Sequence, residues 1–361
     1  MSRRPAWRAR LRAAALEARE WMALRMWRPL RFHATAAQAE IARRARMRRS
    51  ARALQPARVR DEALRAAGCL LVCCVRNERV RIPAFLAHYR RLGVAHFLFI
   101  DNESDDGLAE LLAGEADCSR WLARGSYKAA NFGMDWCNLL LARHGVGKWC
   151  LTVDPDEFLV FPWWDERGLA ALTRYMDGCG QPSLHAPMID AYGPGHVSET
   201  LLHEGQSPFE ACPWFDRYNL TQRYDERRRN FWIQGGVRLR CFNAGHPALA
   251  PALNKVPLVR WERGLRYVSS MHHLNRPRYN CTVLADPQAV SGVLFHFKYV
   301  HLLGAKAREE LARREHYAGS REYRAYLAAG DPILHDPAVS VRWRDWRQLR
   351  ELGFVQGGGW Y

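Results

Sequence analysis

The chain has no run approaching the roughly 18–20 apolar residues needed to span a bilayer, so no helical membrane span is expected. Its N-terminus lacks the short apolar core of a secretory signal. No glycine run fits GxGxxG, which removes the dinucleotide fingerprint. None of the ten cysteines forms a CxxC pair or a zinc-ligand spacing. Cys73 and Cys74 fall inside an apolar run, as small core residues do in a reducing compartment, although spacing alone leaves a disulfide open. There is no internal repeat. A cytoplasmic globular protein of 361 residues, with one large or two small domains, is the expectation.

Charge is present in excess but is unevenly placed. Of the formal +17, residues 1–60 carry +14, from 17 Arg against three Glu. The remaining chain is nearly neutral, so the main domain does not have the basic footprint of a nucleic-acid binder. Ala, Leu, Arg and Met over residues 6–50 predict helix interrupted at Pro29, with Trp7, Leu11, Ala14, Ala15 and Ala18 on one face. Such a basic arm suits either the surface of an anionic membrane or solvent. Gln55-Pro56 reads as a linker from this arm into the folded domain. The fourteen Trp, several beside charges, suit sugar stacking or ordinary core packing.

From residue 69 the pattern becomes strand, helix, strand, helix, strand. The apolar runs 69–75, 96–100 and 149–153 predict buried parallel strands. Helices are expected at 82–92, 107–113 and about 130–143, with a polar loop at 114–128. Short strands are expected at 183–191, 231–242, 256–261 and 292–297, then helix at 304–316. In parallel α/β sheets the residues just past the strand C-termini face the ligand crevice. Three polar clusters occupy those positions: 76–78, 101–106 and 154–157.

Asp154-Pro155-Asp156-Glu157-Phe158 places two carboxylates i, i+2 at a strand end, with Pro bending the chain between them. Mg²⁺ or Mn²⁺ prefers such oxygen ligands and bridges to diphosphate oxygens. Asp101 and Ser104 could line a pocket or close a self-bonded Asx turn. Period-2 geometry puts His296 and Lys298 on one face of a late strand, where His is a candidate ligand or a structural residue. Met271-His272-His273 has no metal spacing to a third ligand.

Taken together, Val75-Arg76-Asn77-Glu78, Asp101-Asn102-Glu103-Ser104-Asp105-Asp106-Gly107, Asp154-Pro155-Asp156-Glu157-Phe158 and the late His296-Phe297-Lys298 resemble family 2 glycosyltransferases. The nearest likeness is the branch related to family 92, over roughly residues 69–300. The resemblance implies an α/β GT-A fold, Rossmann-like, with a mostly parallel sheet flanked by helices, to which the composition of residues 1–60 adds a helical basic N-terminal extension. It implies a nucleoside-diphosphate-sugar donor, a Mn²⁺ or Mg²⁺ cofactor, and a glycan or lipid-linked acceptor. Arg76, Asn77, Glu78, Asp101, Ser104 and Asp154 would line the donor pocket. Asp154, Asp156 and His296 would form the metal shell, and Lys298 would hold the diphosphate. Gln234-Gly235-Gly236-Val237-Arg238 resembles the family's glycine pair ahead of a strand, which makes Arg238 a phosphate contact. Inverting transfer needs a carboxylate base, and Asp190 and Asp216 are the candidates. The family's usual Glu-Asp pair is not recognisable.

The expected organisation is an extension at 1–60 and a GT-A domain at 66–300, whose nucleotide half ends at 160 and whose acceptor half covers 161–300. A helical tail at 301–361 packs on that domain. The competing readings are a non-catalytic nucleotide- or glycan-binding protein, a basic membrane or nucleic-acid adaptor, and a nucleotidyltransferase.

Overall fold

The computed structural model describes residues 28–218, 220–280, 286–315 and 317–360. Met1–Ser50 and Ala51–Tyr361 are separate compact units. The described part of the expected helix, α1 (Arg28–Ala53), is helical. The part of the expected helix before Arg28 lies outside the described residues. Among the described residues, no helix is long and apolar enough to cross a membrane.

The second unit is α/β. Along the chain come β1 (Leu54–Arg58), α2 (Asp61–Ala66), β2 (Cys69–Val75), α3 (Ile82–Leu92), β3 (His96–Asp101), α4 (Leu108–Gly114), β4 (Cys118–Ala123), α5 (Met134–Leu140) and β5 (Trp149–Thr152). Next are β6 (Glu157–Val160), α6 (Gly168–Gly178), β7 (Ser183–Leu184), β8 (Met188–Tyr192), α7 (Pro208–Ala211), β9 (Trp214–Asp216), β10 (Leu220–Asp225), β11 (Asn230–Gly235) and β12 (Leu258–Arg260). The chain closes with β13 (Tyr267–Ser269), β14 (His273–Leu274), β15 (Val293–Tyr299), α8 (Leu303–Arg313), α9 (Tyr317–Ala328), β16 (Ser340–Arg342) and α10 (Trp346–Glu351).

The main sheet has the order β1-β4-β3-β2-β5-β12-β7. Its centre, β4-β3-β2-β5, is parallel, and β2, β3 and β5 are the strands that the apolar runs predicted. Strand alternation explains the two layers. Leu71, Cys73, Phe97 and Phe99 face α3 through Ile82 and Phe85, while Leu70, Val72, Leu98 and Ile100 face α5 through Met134 and Trp136. Chain order runs outward from β2 to β4, then returns to β5 on the other side of β2. That reversal is a topological switch point, and it leaves a crevice beyond the carboxyl ends of β2 and β5.

A second sheet, β16-β9-β8-β15-β6, begins where the chain leaves β5. Asp154-Pro155-Asp156 is therefore the joint between the two sheets. β15 lies antiparallel to β6 and parallel to β8, which brings His296 opposite both Glu157 and Asp190.

Four expectations are corrected. Gln55-Pro56 is not a linker: it forms β1, an edge strand antiparallel to β4, where a proline without an N–H is tolerated. The loop expected at 114–128 contains β4, whose polar members are satisfied by tertiary partners: Ser119 by His96 and Arg120 by Asp101. Gly235-Gly236 do not precede a strand, since Gly235 ends β11 and Arg238–Phe242 forms one π-helical turn. The tail beyond residue 301 is not purely helical, because β16 pairs with β9 inside the second sheet.

Nine cysteines are free among the described residues, and Cys73, Cys118, Cys137, Cys150 and Cys212 are buried. Three histidines are also sequestered. Burial pushes His88, His185 and His272 down to about 4, although carbonyl contacts from Leu159 to His88 and from Asn254 to His272 work the other way. These rings are neutral in the folded state and regain ordinary basicity on unfolding. The unfolded chain then binds more protons between about pH 6.5 and 4, so stability falls as pH drops through that window, by up to about 1.4 kcal/mol per unit for each histidine. Urea titrations from pH 7.5 to 4.5 should show a falling midpoint that begins near pH 6.5, above the carboxylate range. A flat midpoint down to pH 5 would contradict these buried neutral rings.

Candidate active site at the switch point

The cleft beyond β2 and β5 has a volume of about 160 Å³, and Arg76, Glu78, Asn102, Asp154, Asp156, His296 and Lys298 line it. Strand ends separated by more than 200 residues in sequence thus meet at one place, as the α/β rule requires. The far wall comes from α8 and α9 through Lys306, Glu310, Arg313 and Tyr323.

Asp156 and His296 form the centre. The Asp156 carboxylate lies 3.2 Å from His296 Nε2. Behind the ring, Nδ1 sits 2.6 Å from Asp190 Oδ1, and Arg238 donates to both Asp190 oxygens at 2.7 and 2.9 Å. Asp190 thereby orients the imidazole so that Nε2 faces the cleft, the arrangement that fixes a tautomer in carboxylate–histidine–metal triads. Burial works to raise the Asp156 and Asp190 carboxyls, but His296 on the first, and Arg238 with His296 on the second, hold both far below the usual range. Burial works against a charged His296, yet Asp156 and Asp190 raise it above its ordinary value.

Asp154 is the more exposed carboxylate at the rim and lies 3.3 Å from Lys255 Nζ. Lys255 is buried and holds Glu157 at 2.6 Å. Burial pushes the Glu157 carboxyl up, against the pull of that ammonium. Burial would also strip Lys255 of its proton, but Glu157 and Asp154 keep it above its ordinary value. The joint between the sheets is therefore pinned by a lysine that no sequence motif marked.

Among the described residues, no group of three His, Cys, Asp or Glu side chains is arranged to hold an ion. Asp156 and His296 alone adjoin in the cleft, with Asp154 turned toward Lys255. A two-ligand set still fits Mg²⁺ or Mn²⁺, which bind through one or two carboxylates and complete their shell with substrate phosphates and water.

Other sequence candidates take different places. Asp101 is buried, accepting from Arg120 at 2.7 Å and from the Ser104 N–H at 2.9 Å. It closes the Asx turn that was the alternative to a pocket role. Asn77, at φ +53°, accepts the Asp105 N–H and donates its own N–H to Ser104 Oγ. These bonds tie the loop after β2 to the loop after β3. Arg76 reaches the carbonyls of Asn102 and Glu103 and the Glu309 carboxylate. Arg238 lies behind His296, and Asp190 with it, so neither lines the cleft. Asp216 is buried on Arg240 and Tyr192, also away from the cleft.

The helical hairpin of α8 and α9 went unnoticed in the sequence as part of the site. Lys306 contacts Glu78 at 3.1 Å and the Arg76 carbonyl at 2.7 Å, and Arg313 donates to Asn102 at 3.0 Å. Lys298 lies 3.2 Å from Glu322 and over the Tyr323 and Tyr326 rings. Glu322 is held down at about 2; burial opposes this, and Lys298 and Arg238 outweigh it. A legible signal did exist. Lys306, Glu310 and Arg313 recur at i, i+4 and i+7, a single charged face on a helix.

No family model and no curated protein sequence matches the chain. Among solved structures it is similar to a 4-diphosphocytidyl-2C-methyl-D-erythritol synthase, with 11% identity over 54% of this chain and 75% of that one, at a TM-score of 0.26. It is also similar to a Bacillus anthracis structure assigned as a glucose-1-phosphate thymidylyltransferase in complex with sucrose, with 7% identity over 53% and 70% of the chains, at a TM-score of 0.26. At that level neither likeness bears on activity, and the assignment of the site rests on its own geometry.

Proposed function

We propose that the chain is a GT-A-type glycosyltransferase, moving a sugar from a nucleoside-diphosphate donor to a hydroxyl of a glycan or lipid-linked saccharide. The observation that carries this reading is the Asp156–His296 pair, backed by Asp190 and opening into the switch-point cleft. Mn²⁺ or Mg²⁺ held by Asp156 and His296 would supply Lewis-acid stabilisation of the diphosphate leaving group. Lys298, Lys306 and Arg313 surround the same space and offset the charge that collects on that group as the glycosidic bond breaks. On this reading, donor phosphates compete with Glu78 for Lys306. Asp190 acts as a positioning residue for His296, and Asp216 holds Tyr192 and Arg240 in the core of the second sheet. The acceptor's base is then a carboxylate other than these two. In the separate N-terminal unit, the described turns of α1 are Arg-rich, and an anionic membrane surface is the partner we propose for them.

A thermal-shift panel of nucleoside diphosphates, with and without Mn²⁺, tests the donor site. A ligand at 100 times its dissociation constant adds about 2.7 kcal/mol, which is readily seen. One nucleotide should raise the melting temperature only with metal present, and Lys306→Met should weaken its binding about tenfold, on the scale of one charge-assisted contact. Absence of any shift in folded protein would remove the donor reading.

A further inference from the structure

Among the described residues, the largely exposed aromatic side chains are Tyr218 at 51%, Tyr224 at 41% and Trp232 at 41%, and the last two lie on one short hairpin. The hairpin is β10 paired with β11, a two-stranded sheet that no third strand joins among the described residues. Phe231 and Ile233 turn inward against the core, so the alternating residue Trp232 faces out, directly opposite Arg223. Leu220 is exposed as well. Arg223, Arg227 and Arg229 form no ion pair among the described residues, while Arg228 is held by Asp225 at 2.7 Å.

The hairpin is rooted in the site. The Asn254 side chain accepts the Ile233 N–H, and its neighbour Lys255 grips Asp154 and Glu157. Beyond Gly235 the chain leads directly to Arg238, which holds Asp190, the carboxylate behind His296.

We propose that this hairpin is the acceptor platform and that the acceptor is an acidic saccharide chain, carrying carboxylate or phosphate groups. The inference rests on the sugar-transfer reading for its choice of ligand. Flat aromatic faces suit the apolar faces of sugar rings, and unpaired guanidinium groups suit carboxylate or phosphate through paired N–H donors. Gln222 adds an amide group on the same strand. Tyr224 pairs with Phe231 on the other face, but Trp232 and Arg223 share the outer face, so a ring and a guanidinium stand side by side where a membrane-inserting hairpin would segregate them.

Affinity electrophoresis of the full chain in gels containing polygalacturonic acid, dextran or poly(U) RNA tests the proposal. Anionic vesicles are examined by flotation. The protein should be retarded by polygalacturonic acid and not by dextran. Trp232→Ala and Arg223→Gln should each weaken retardation roughly five- to tenfold, and Trp232→Phe should restore most of it. All three variants should keep the wild-type melting temperature and the Mn²⁺-dependent nucleoside-diphosphate shift. Equal retardation of wild type and Trp232→Ala would overturn the platform, as would a larger loss in Trp232→Ala of poly(U) or vesicle binding than of polygalacturonic acid binding. A nucleotide shift without any polygalacturonic acid binding defeats this inference alone. Polygalacturonic acid binding that depends on Trp232, without a nucleotide shift, supports the platform and defeats the donor reading.

Discussion

Asp190→Ala is expected to lower unfolding stability by about 3–5 kcal/mol, the penalty for leaving a buried charge without its partner. The reason is geometric. Arg238 is buried and makes both of its short carboxylate bonds to Asp190, and His296 Nδ1 makes its shortest contact there too. Removing the carboxylate leaves the guanidinium with only its longer Glu322 contact, at 3.6 Å, and frees the imidazole to rotate away from the cleft. Asp190→Asn keeps an acceptor and should lose less stability, but it no longer balances the charge on Arg238. Urea denaturation at pH 7.5 measures both losses. A general base offers a clear contrast: its replacement abolishes turnover and leaves stability near the wild-type value. That second pattern would return Asp190 to the acceptor's side of the reaction.

The second large effect concerns Asp156. Asp156→Ala should reduce the apparent Mn²⁺ affinity, read through nucleotide binding, by at least about 100-fold, since even residues that merely orient metal ligands are worth 10–100-fold. His296→Ala should act in the same direction. Asp154→Ala should act more weakly, because that carboxylate lies toward Lys255 rather than beside His296. Calorimetric titration of nucleoside diphosphate at fixed Mn²⁺ separates the three variants. Equal losses for Asp154→Ala and Asp156→Ala would instead place both acids in the metal shell.

The parallel centre of the main sheet was readable because strands buried on both faces are continuous apolar runs, and 69–75, 96–100 and 149–153 are of that kind. The clusters at their ends were readable for the same reason, since topology fixes where those ends lie. β4 was hidden because its polar residues look like loop residues until His96 and Asp101 are seen to satisfy Ser119 and Arg120. β1 was hidden by a proline that only an edge position tolerates. At the site, Asp156, His296 and Lys298 stand together as their motifs suggested. Asp101, Asp190 and Arg238 are equally acidic or basic in sequence, but their partners turn them away from the cleft. Lys255 comes from a segment with no local motif, and Lys306 and Arg313 share a charged helix face that does not say where the helix docks. Only tertiary packing brings them to the strand ends.

The central claim is that this cleft transfers a sugar and releases a nucleoside diphosphate. The most direct measurement incubates the purified chain with Mn²⁺ and a panel of nucleoside-diphosphate sugars, with polygalacturonic acid as acceptor, and identifies the released product by mass. The account predicts nucleoside diphosphate from one donor, dependent on Mn²⁺ and abolished in Asp156→Ala. Release of pyrophosphate from a nucleoside triphosphate and a sugar phosphate, with no nucleoside diphosphate from any donor, would contradict it.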